Sequence, residues 1–166
     1  MAVQLATWSQ FEAEAPELAA AGHELLHQFG LGLAFIATIR ADGGPRLHPV
    51  CVIVTDGGLF VALVPSPKTR DLERDPRLAV HSFPPAESDD EFAMTGRVVR
   101  VDDTARRAAV QAAYRNRIEA HDTVFELLLE TALVARYKFR GDWPPAYTRW
   151  RVGRGTNQPA AASVAT

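Results

Sequence analysis

Residues Leu33 to Phe83 read LAFIATIRADGGPRLHPVCVIVTDGGLFVALVPSPKTRDLERDPRLAVHSF. The stretch opens with a short apolar run rich in strand formers, Leu33 to Arg40, ended by the turn residues Ala41-Asp42-Gly43-Gly44. Pro45 to Thr55 follows, ended by Asp56-Gly57-Gly58, and then Leu59 to Val64. Apolar runs joined by short Gly-containing turns predict an antiparallel meander. Pro49 lies inside the second run and has no N–H to give to a ladder, so that strand is expected at an edge or bulged. Next, Ser66 can cap a helix, Pro67 suits its first position, and Asp75-Pro76 ends it after about two turns. Leu78 to Phe83 reads as a fourth strand.

On the N-terminal side the period is helical. Phe11, Leu18, Leu25, Leu26 and Phe29 recur at helix spacing, Ser9 with Glu12 has the form of a capping box, and Gly30 is a natural stop. Pro16 predicts a break, with a second helix opening there and running to about Gln28. On the C-terminal side, Pro84 to Glu91 is an acidic loop, Phe92 to Val101 a fifth strand, and Asp102 or Asp103 caps a helix through Tyr114. TVFELLLETALVARYKF suits one helix when read alone; the abundance of Val, Phe and Tyr favours two strands, Val124 to Leu129 and Leu133 to Phe139. Trp143 to Arg151 closes the folded part. Residues 1–152 are thus expected to form a single domain, and Gly153 to Thr166, without large apolar residues, a flexible tail. No strand–helix–strand alternation and no GxGxxG after a strand is present, which argues against a dinucleotide fold.

The chain has 166 residues, 47% hydrophobic and 23% charged, and a formal charge of −2. This suits one globular domain with a real core. The near-neutral balance argues against nucleic acid as a partner. A single cysteine, Cys51, excludes an internal disulfide and a Cys-based zinc site; within an apolar strand it is expected to be a buried small hydrophobe. The N-terminus lacks the basic and apolar regions of a signal peptide, and no apolar run reaches the roughly 18 residues of a membrane span. A cytoplasmic domain without membrane association is the expectation.

The sharpest chemical signal is Ser66 to Arg70. A helix N-terminus offers free N–H groups and partial positive charge, which attract anions and favour acids in the first turn. Here Lys68 and Arg70 stand there instead, in a chain whose basic residues are 16 Arg and two Lys, Lys68 and Lys138. Either an anion such as phosphate sits between them, or both are surface cations paired with Asp71, Glu73 or nearby acids. In Arg46 to Val50, alternation puts Arg46, His48 and Val50 on one strand face and Leu47, Pro49 and Cys51 on the other. The backbone beside Pro49 has groups free for a planar ligand; an ordinary edge strand accounts for the same pattern. His23 and His27 have metal-ligand spacing without a third ligand, Glu87 to Glu91 suits a solvated acidic loop, and His81 suits a core-edge position.

In order, these elements resemble the pyridoxamine 5′-phosphate oxidase-like, FMN-binding split-barrel family of flavin and deazaflavin oxidoreductases. The shared run is a strand ending T-x-R, a D-G turn, a strand with P-x-x-x-P-V, a hairpin, then S-x-K-x-x-(N/D)-L-x-x-D-P-R; looser similarity extends to YTRWR, covering about residues 33–151. The resemblance implies a mainly β fold with peripheral helices, a six-stranded antiparallel split β-barrel, homodimeric, with two flavin sites at the interface. It implies that Lys68, with Ser66 and Arg70, holds the FMN phosphate, that Thr69 is a further cofactor-binding residue, and that Arg46, His48, Pro49 and Val50 lie against the isoalloxazine ring. His81 is placed near the cofactor, and Trp150 would approach the ring from the other subunit. The activity implied is redox chemistry on a small-molecule substrate. Alternatives are an 8-hydroxy-5-deazaflavin coenzyme in place of FMN, or a non-enzymatic flavin- or haem-binding protein using His48 or His81. Asp71 stands where the family usually has Asn, and the basic C-terminal motif of true pyridoxamine phosphate oxidases is absent, which argues against vitamin B6 oxidation.

Overall fold

A computed structural model describes residues 3–55 and 57–157. Two helices come first, α1 (Trp8–Glu14) and α2 (Pro16–His27), followed by strands β1 (Leu33–Ile39), β2 (Pro45–Cys51), β3 (Ile53–Thr55) and β4 (Gly58–Leu63). Then come α3 (Pro67–Arg74), β5 (Arg77–Ser82), β6 (Glu91–Arg100), α4 (Thr104–Ala113), β7 (Thr123–Arg136), β8 (Ala146–Arg151) and β9 (Gly155–Asn157). Pro16 opens α2, as the sequence predicts. The capping box at α1 lies two residues earlier than expected: the Thr7 hydroxyl accepts the Gln10 N–H, and the Thr7 N–H donates to the Gln10 side chain at 2.8 Å.

The strands form one nine-stranded antiparallel sheet in the order β2-β1-β5-β6-β7-β4-β3, with β8 on β7 and β9 on β8. Its mainly β character with helices on the periphery is what the sequence predicts. Two strand assignments are corrected. Pro45 to Thr55 is not one strand but two. β2 pairs with β1, β3 pairs with β4, and between them the Val52 N–H leaves the ladder to donate to the Gly32 carbonyl at 3.0 Å. A side chain at Gly32 would place its Cβ 2.1 Å from the Val52 oxygen, so only glycine allows this crossing.

The second correction concerns the ambiguous stretch after Asp122. It is a single strand, β7, paired with β6 along its length and interrupted by a bulge: Thr95 pairs with Thr131 and Gly96 with Leu129, leaving Glu130 extra. Its core-facing residues are therefore Phe125, Leu127, Leu129, then Ala132 and Val134. The step of three at the bulge breaks the period of two, which explains why the sequence suggests either a helix or two strands.

The main core lies between the inner sheet face and α1–α2. Trp8, Trp150, Phe11, Phe92, Leu26, Ile36, Leu59, Met94, Leu127 and Leu129 are its largest fully buried members. Trp8 meets Phe11 and Phe92 edge-on at 5.3 and 6.1 Å. A smaller cluster, Ile53, Phe60, Val101, Val110 and Val124, packs beneath α4. Asp103 caps α4 by accepting the Arg106 N–H at 2.7 Å. The expected tail begins with structure: β9 pairs with β8 through Arg149–Asn157, and residues 158–166 lie outside the described residues. Cys51 is half-buried, on the outer face opposite Leu33, rather than in the core.

Candidate cofactor site

The β4–α3 junction positions the cationic pair. Ser66 stands at the N-cap with extended backbone, but its hydroxyl makes no bond to a helix N–H. It pairs with the Thr69 hydroxyl at 2.9 Å, and Thr69, which is buried, gives its own proton to the Val64 carbonyl at 2.8 Å. The first-turn N–H groups are thus not consumed by a side-chain cap, and no acid lies in that turn. Lys68 is half-buried and Arg70 exposed. The two acids that could have neutralised them are engaged elsewhere: Asp71 with Arg46 and Arg74, and Glu73 with Arg100 at 3.3 Å. Among the described residues neither Lys68 nor Arg70 takes part in an ion pair.

β2 is the edge of its end of the sheet, as Pro49 predicts. Register confirms the division of its faces: Arg46, His48 and Val50 pair with the buried Thr38, Ile36 and Ala34, whereas Pro49 pairs with Phe35 on the outer face. The inner face of β2 meets α3 at Asp71. This carboxylate is 3% exposed, yet accepts Arg46 Nε at 2.6 Å, Thr38 Oγ1 at 3.0 Å and Arg74 at 3.3 Å. Burial pushes the Asp71 carboxyl up, but the hydrogen bonds from Arg46, Thr38 and Arg74 outweigh it and hold it below the usual carboxylate range.

The structure therefore brings Arg46, His48 and Val50 to one strand face, ties that strand to α3 through Arg46, and places Ser66, Lys68, Thr69 and Arg70 around the start of that helix. Thr69 is a buried brace rather than an exposed donor. His81 is not part of this group: it pairs with Phe35 and Ala93, on the sheet face opposite Arg46, and its Nδ1 contacts the Ser82 carbonyl at 2.7 Å. A carbonyl only accepts, so Nδ1 carries the proton. Trp150 lies in its own chain's core: its indole is 1% exposed, packed 4.9 Å from Phe11 and donating to Glu14, and within this chain it is not among the residues gathered at α3 and β2. Thr38 is the residue sequence reasoning missed. Its signal was a hydroxyl at the third inward position of an apolar strand, after Ala34 and Ile36.

The weaker metal candidates resolve as structure. Asp90 accepts from Arg136 at 2.6 Å and from the Tyr137 N–H at 2.9 Å, and Asp89 from the Gly141 N–H at 2.6 Å, so the acidic loop holds the start of the β7–β8 connection. The His23 and His27 rings stack at 4.2 Å, and no group of three or more His, Cys, Asp or Glu able to hold a metal occurs among the described residues. An open cleft of about 640 Å³, lined by Glu14, Glu17, Val134, Arg136 and Thr148, lies between the N-terminal helices and β7–β8, away from α3 and β2.

A family model for pyridoxamine 5′-phosphate oxidase matches residues 21–148, and the chain belongs to that family. No curated protein matches it. Among solved structures it is similar to a pyridoxamine 5′-phosphate oxidase-related, FMN-binding protein from Nostoc punctiforme, at 12% identity and TM-score 0.63, covering 88% of this chain and 96% of that one. It is also similar to a NimC/NimA family protein from Clostridium acetobutylicum, at 14% identity and TM-score 0.61, covering 84% and 97%. A haem-binding protein from Mycobacterium smegmatis matches at 21% identity and TM-score 0.59 over 78% of this chain; the chain spans 57% of that protein's length. At these identities the likeness is one of fold.

Proposed function

We propose that the protein is an FMN-dependent oxidoreductase that acts on a small-molecule redox substrate. The observation that carries this reading is the pair Lys68 and Arg70 at an uncapped, acid-free helix start, without carboxylate partners among the described residues. Two cations there oppose the helix dipole unless an anion joins them, and the phosphate of FMN is such an anion. The residues present fit it: α3 supplies N–H donors, Lys68 and Arg70 supply charge, and Arg46 of β2 is tied to the same helix through Asp71. Bound FMN supplies hydride or electron transfer. The chain's own task is to grip the phosphate, lay the ring along the His48–Val50 backbone and exclude water from it.

The same reading makes the protein a homodimer of split barrels. The candidate site lies at an edge strand and a helix start rather than in an enclosed cavity, so a second subunit is needed to cover the ring. The outer sheet face offers the surface: Phe35 and Phe83 pack at 4.3 Å there, and Leu47 is 65% exposed. No helix of the described chain is long and apolar enough to cross a membrane; the cytoplasm is the compartment proposed.

Haem binding is the second reading. His81 Nδ1 is engaged by a carbonyl, so in the neutral imidazole the lone pair is on Nε2, on the outer face, the form a metal ligand takes. The absorbance spectrum of the purified protein separates the readings: flavin bands support the first, deazaflavin absorbance replaces FMN by its relative, and a Soret band overturns both in favour of haem. If the protein purifies colourless, titration with FMN decides, and absence of saturable binding overturns the proposal.

A further inference from the structure

We propose that Asp71 is the positioning residue of the anion site, its buried carboxylate tying Arg46 of β2 to α3 so that Arg46 and the first helical turn form one preset cradle. This deepens the phosphate reading above and rests on it. Asp71 accepts from three elements at once: β2 through Arg46, β1 through Thr38 and its own helix through Arg74. Arg74 also donates to the Ile39 carbonyl at the end of β1, so the second half of α3 is fastened to the strands on two sides. A carboxylate this buried is retained in a fold only with its partners in place. Thr38 points to the same purpose. A hydroxyl on the inward face of β1 needs an acceptor, and Asp71 is that acceptor.

The geometry at Arg46 gives the tie its use. A guanidinium has five N–H donors in a rigid fork. Asp71 engages Nε only, and among the described residues no carboxylate pairs with the two terminal nitrogens. Arg46 is thus held by one edge of its fork against Asp71, itself one helical turn after Lys68, while its four terminal N–H donors have no partner among the described residues. The acid that the sequence places beside the phosphate site does not neutralise Lys68 or Arg70; it removes in advance the freedom that Arg46 would lose on binding.

The test is a double-mutant cycle on the full chain, titrating FMN and riboflavin against wild type, Arg46→Ala, Asp71→Ala and the double variant. Asp71→Ala is expected to weaken FMN about tenfold and riboflavin, which lacks the phosphate, less than about twofold. Adding it to Arg46→Ala is expected to cause little further loss, because Asp71 acts through that side chain. Equal losses for both flavins, or losses that multiply in the double variant, overturn the proposal. Where Asp71→Ala does not fold, Asp71→Asn and the Arg46 Nε–Hε resonance take its place. That proton is expected to exchange slowly in wild type and faster in the variant, and equally fast exchange in both overturns the tie. If wild type binds neither flavin, the flavin reading fails by itself. Inorganic phosphate then serves as the probe: a phosphate-induced shift of the Arg46 resonance, lost in Asp71→Asn, supports the cradle, and its absence in wild type overturns it.

Discussion

Trp150 donates its indole N–H to the Glu14 carboxylate at 3.0 Å, joining residues 136 apart in sequence. The bond fixes α1 against β8, and the indole fills the space beside Phe11. Trp150→Ala is therefore expected to cost about 3–5 kcal/mol, from lost burial plus a cavity. Glu14→Ala is expected to cost about 0.5–1.5 kcal/mol for the single hydrogen bond. Urea denaturation measures both. Trp150→Phe, if it folds, should bind FMN as wild type does; a selective loss of flavin affinity would return Trp150 to the cofactor site.

Lys68→Ala should weaken FMN roughly tenfold to a hundredfold, the worth of a charge-assisted hydrogen bond of about 1.5–3 kcal/mol. Riboflavin should change far less. The cofactor-free variant should melt at or slightly above the wild-type temperature, because the substitution removes a cation from the wrong end of a helix. Comparable losses for both flavins would show that Lys68 does not contact the phosphate.

Asp71 has a folded-state pKa below its unfolded value, which is about 3.9. Its contribution to stability is complete above the unfolded value and is lost as pH falls through the folded one. The stability difference between wild type and Asp71→Asn should hold constant from about pH 7 to 5 and shrink below about pH 4. Denaturation curves at several pH values measure it, and a difference that stays flat down to about pH 3 contradicts the ion-pair assignment.

Gly96 faces the β7 bulge so closely that an added Cβ would lie 1.8 Å from the Leu128 carbonyl oxygen. Gly96→Ala should cost about 1–3 kcal/mol or more, as the backbone must shift to admit a methyl group. Thr95→Ala, at the exposed neighbour whose hydroxyl meets Thr131 at 2.6 Å, should cost under about 1 kcal/mol. Similar costs for the two would mean that the bulge yields easily.

The proposed dimer predicts that wild type sediments as a two-subunit species at micromolar concentration. Phe35→Arg, on the outer face beside Phe83, should shift it towards monomer and weaken FMN in parallel. A monomeric wild type that still binds FMN would remove the second subunit from the site.

Short-range pattern was enough for the parts of this chain whose form depends on neighbours in sequence. The division of β2 into an Arg46–His48–Val50 face and a Leu47–Pro49–Cys51 face follows from strand alternation. The edge position follows from the missing N–H of Pro49, and the start of α3 from Ser66 and Pro67. Lys68 and Arg70 stood out because first-turn cations contradict a helix dipole, a conflict visible within a few residues. What depended on distant partners was not legible. The split of Pro45–Thr55 at Val52 needs the Gly32 carbonyl, and the bulge at Glu130 needs Gly96 on β6. Trp150 is a core residue because α1 folds over it, and Asp71 spares Lys68 because Arg46, 25 positions away, reaches it first. A hydrogen-bonding group or an indole reads alike at a surface and in a core; which of the two it meets is decided by where the sheet brings a remote strand, and neither spacing nor composition records that.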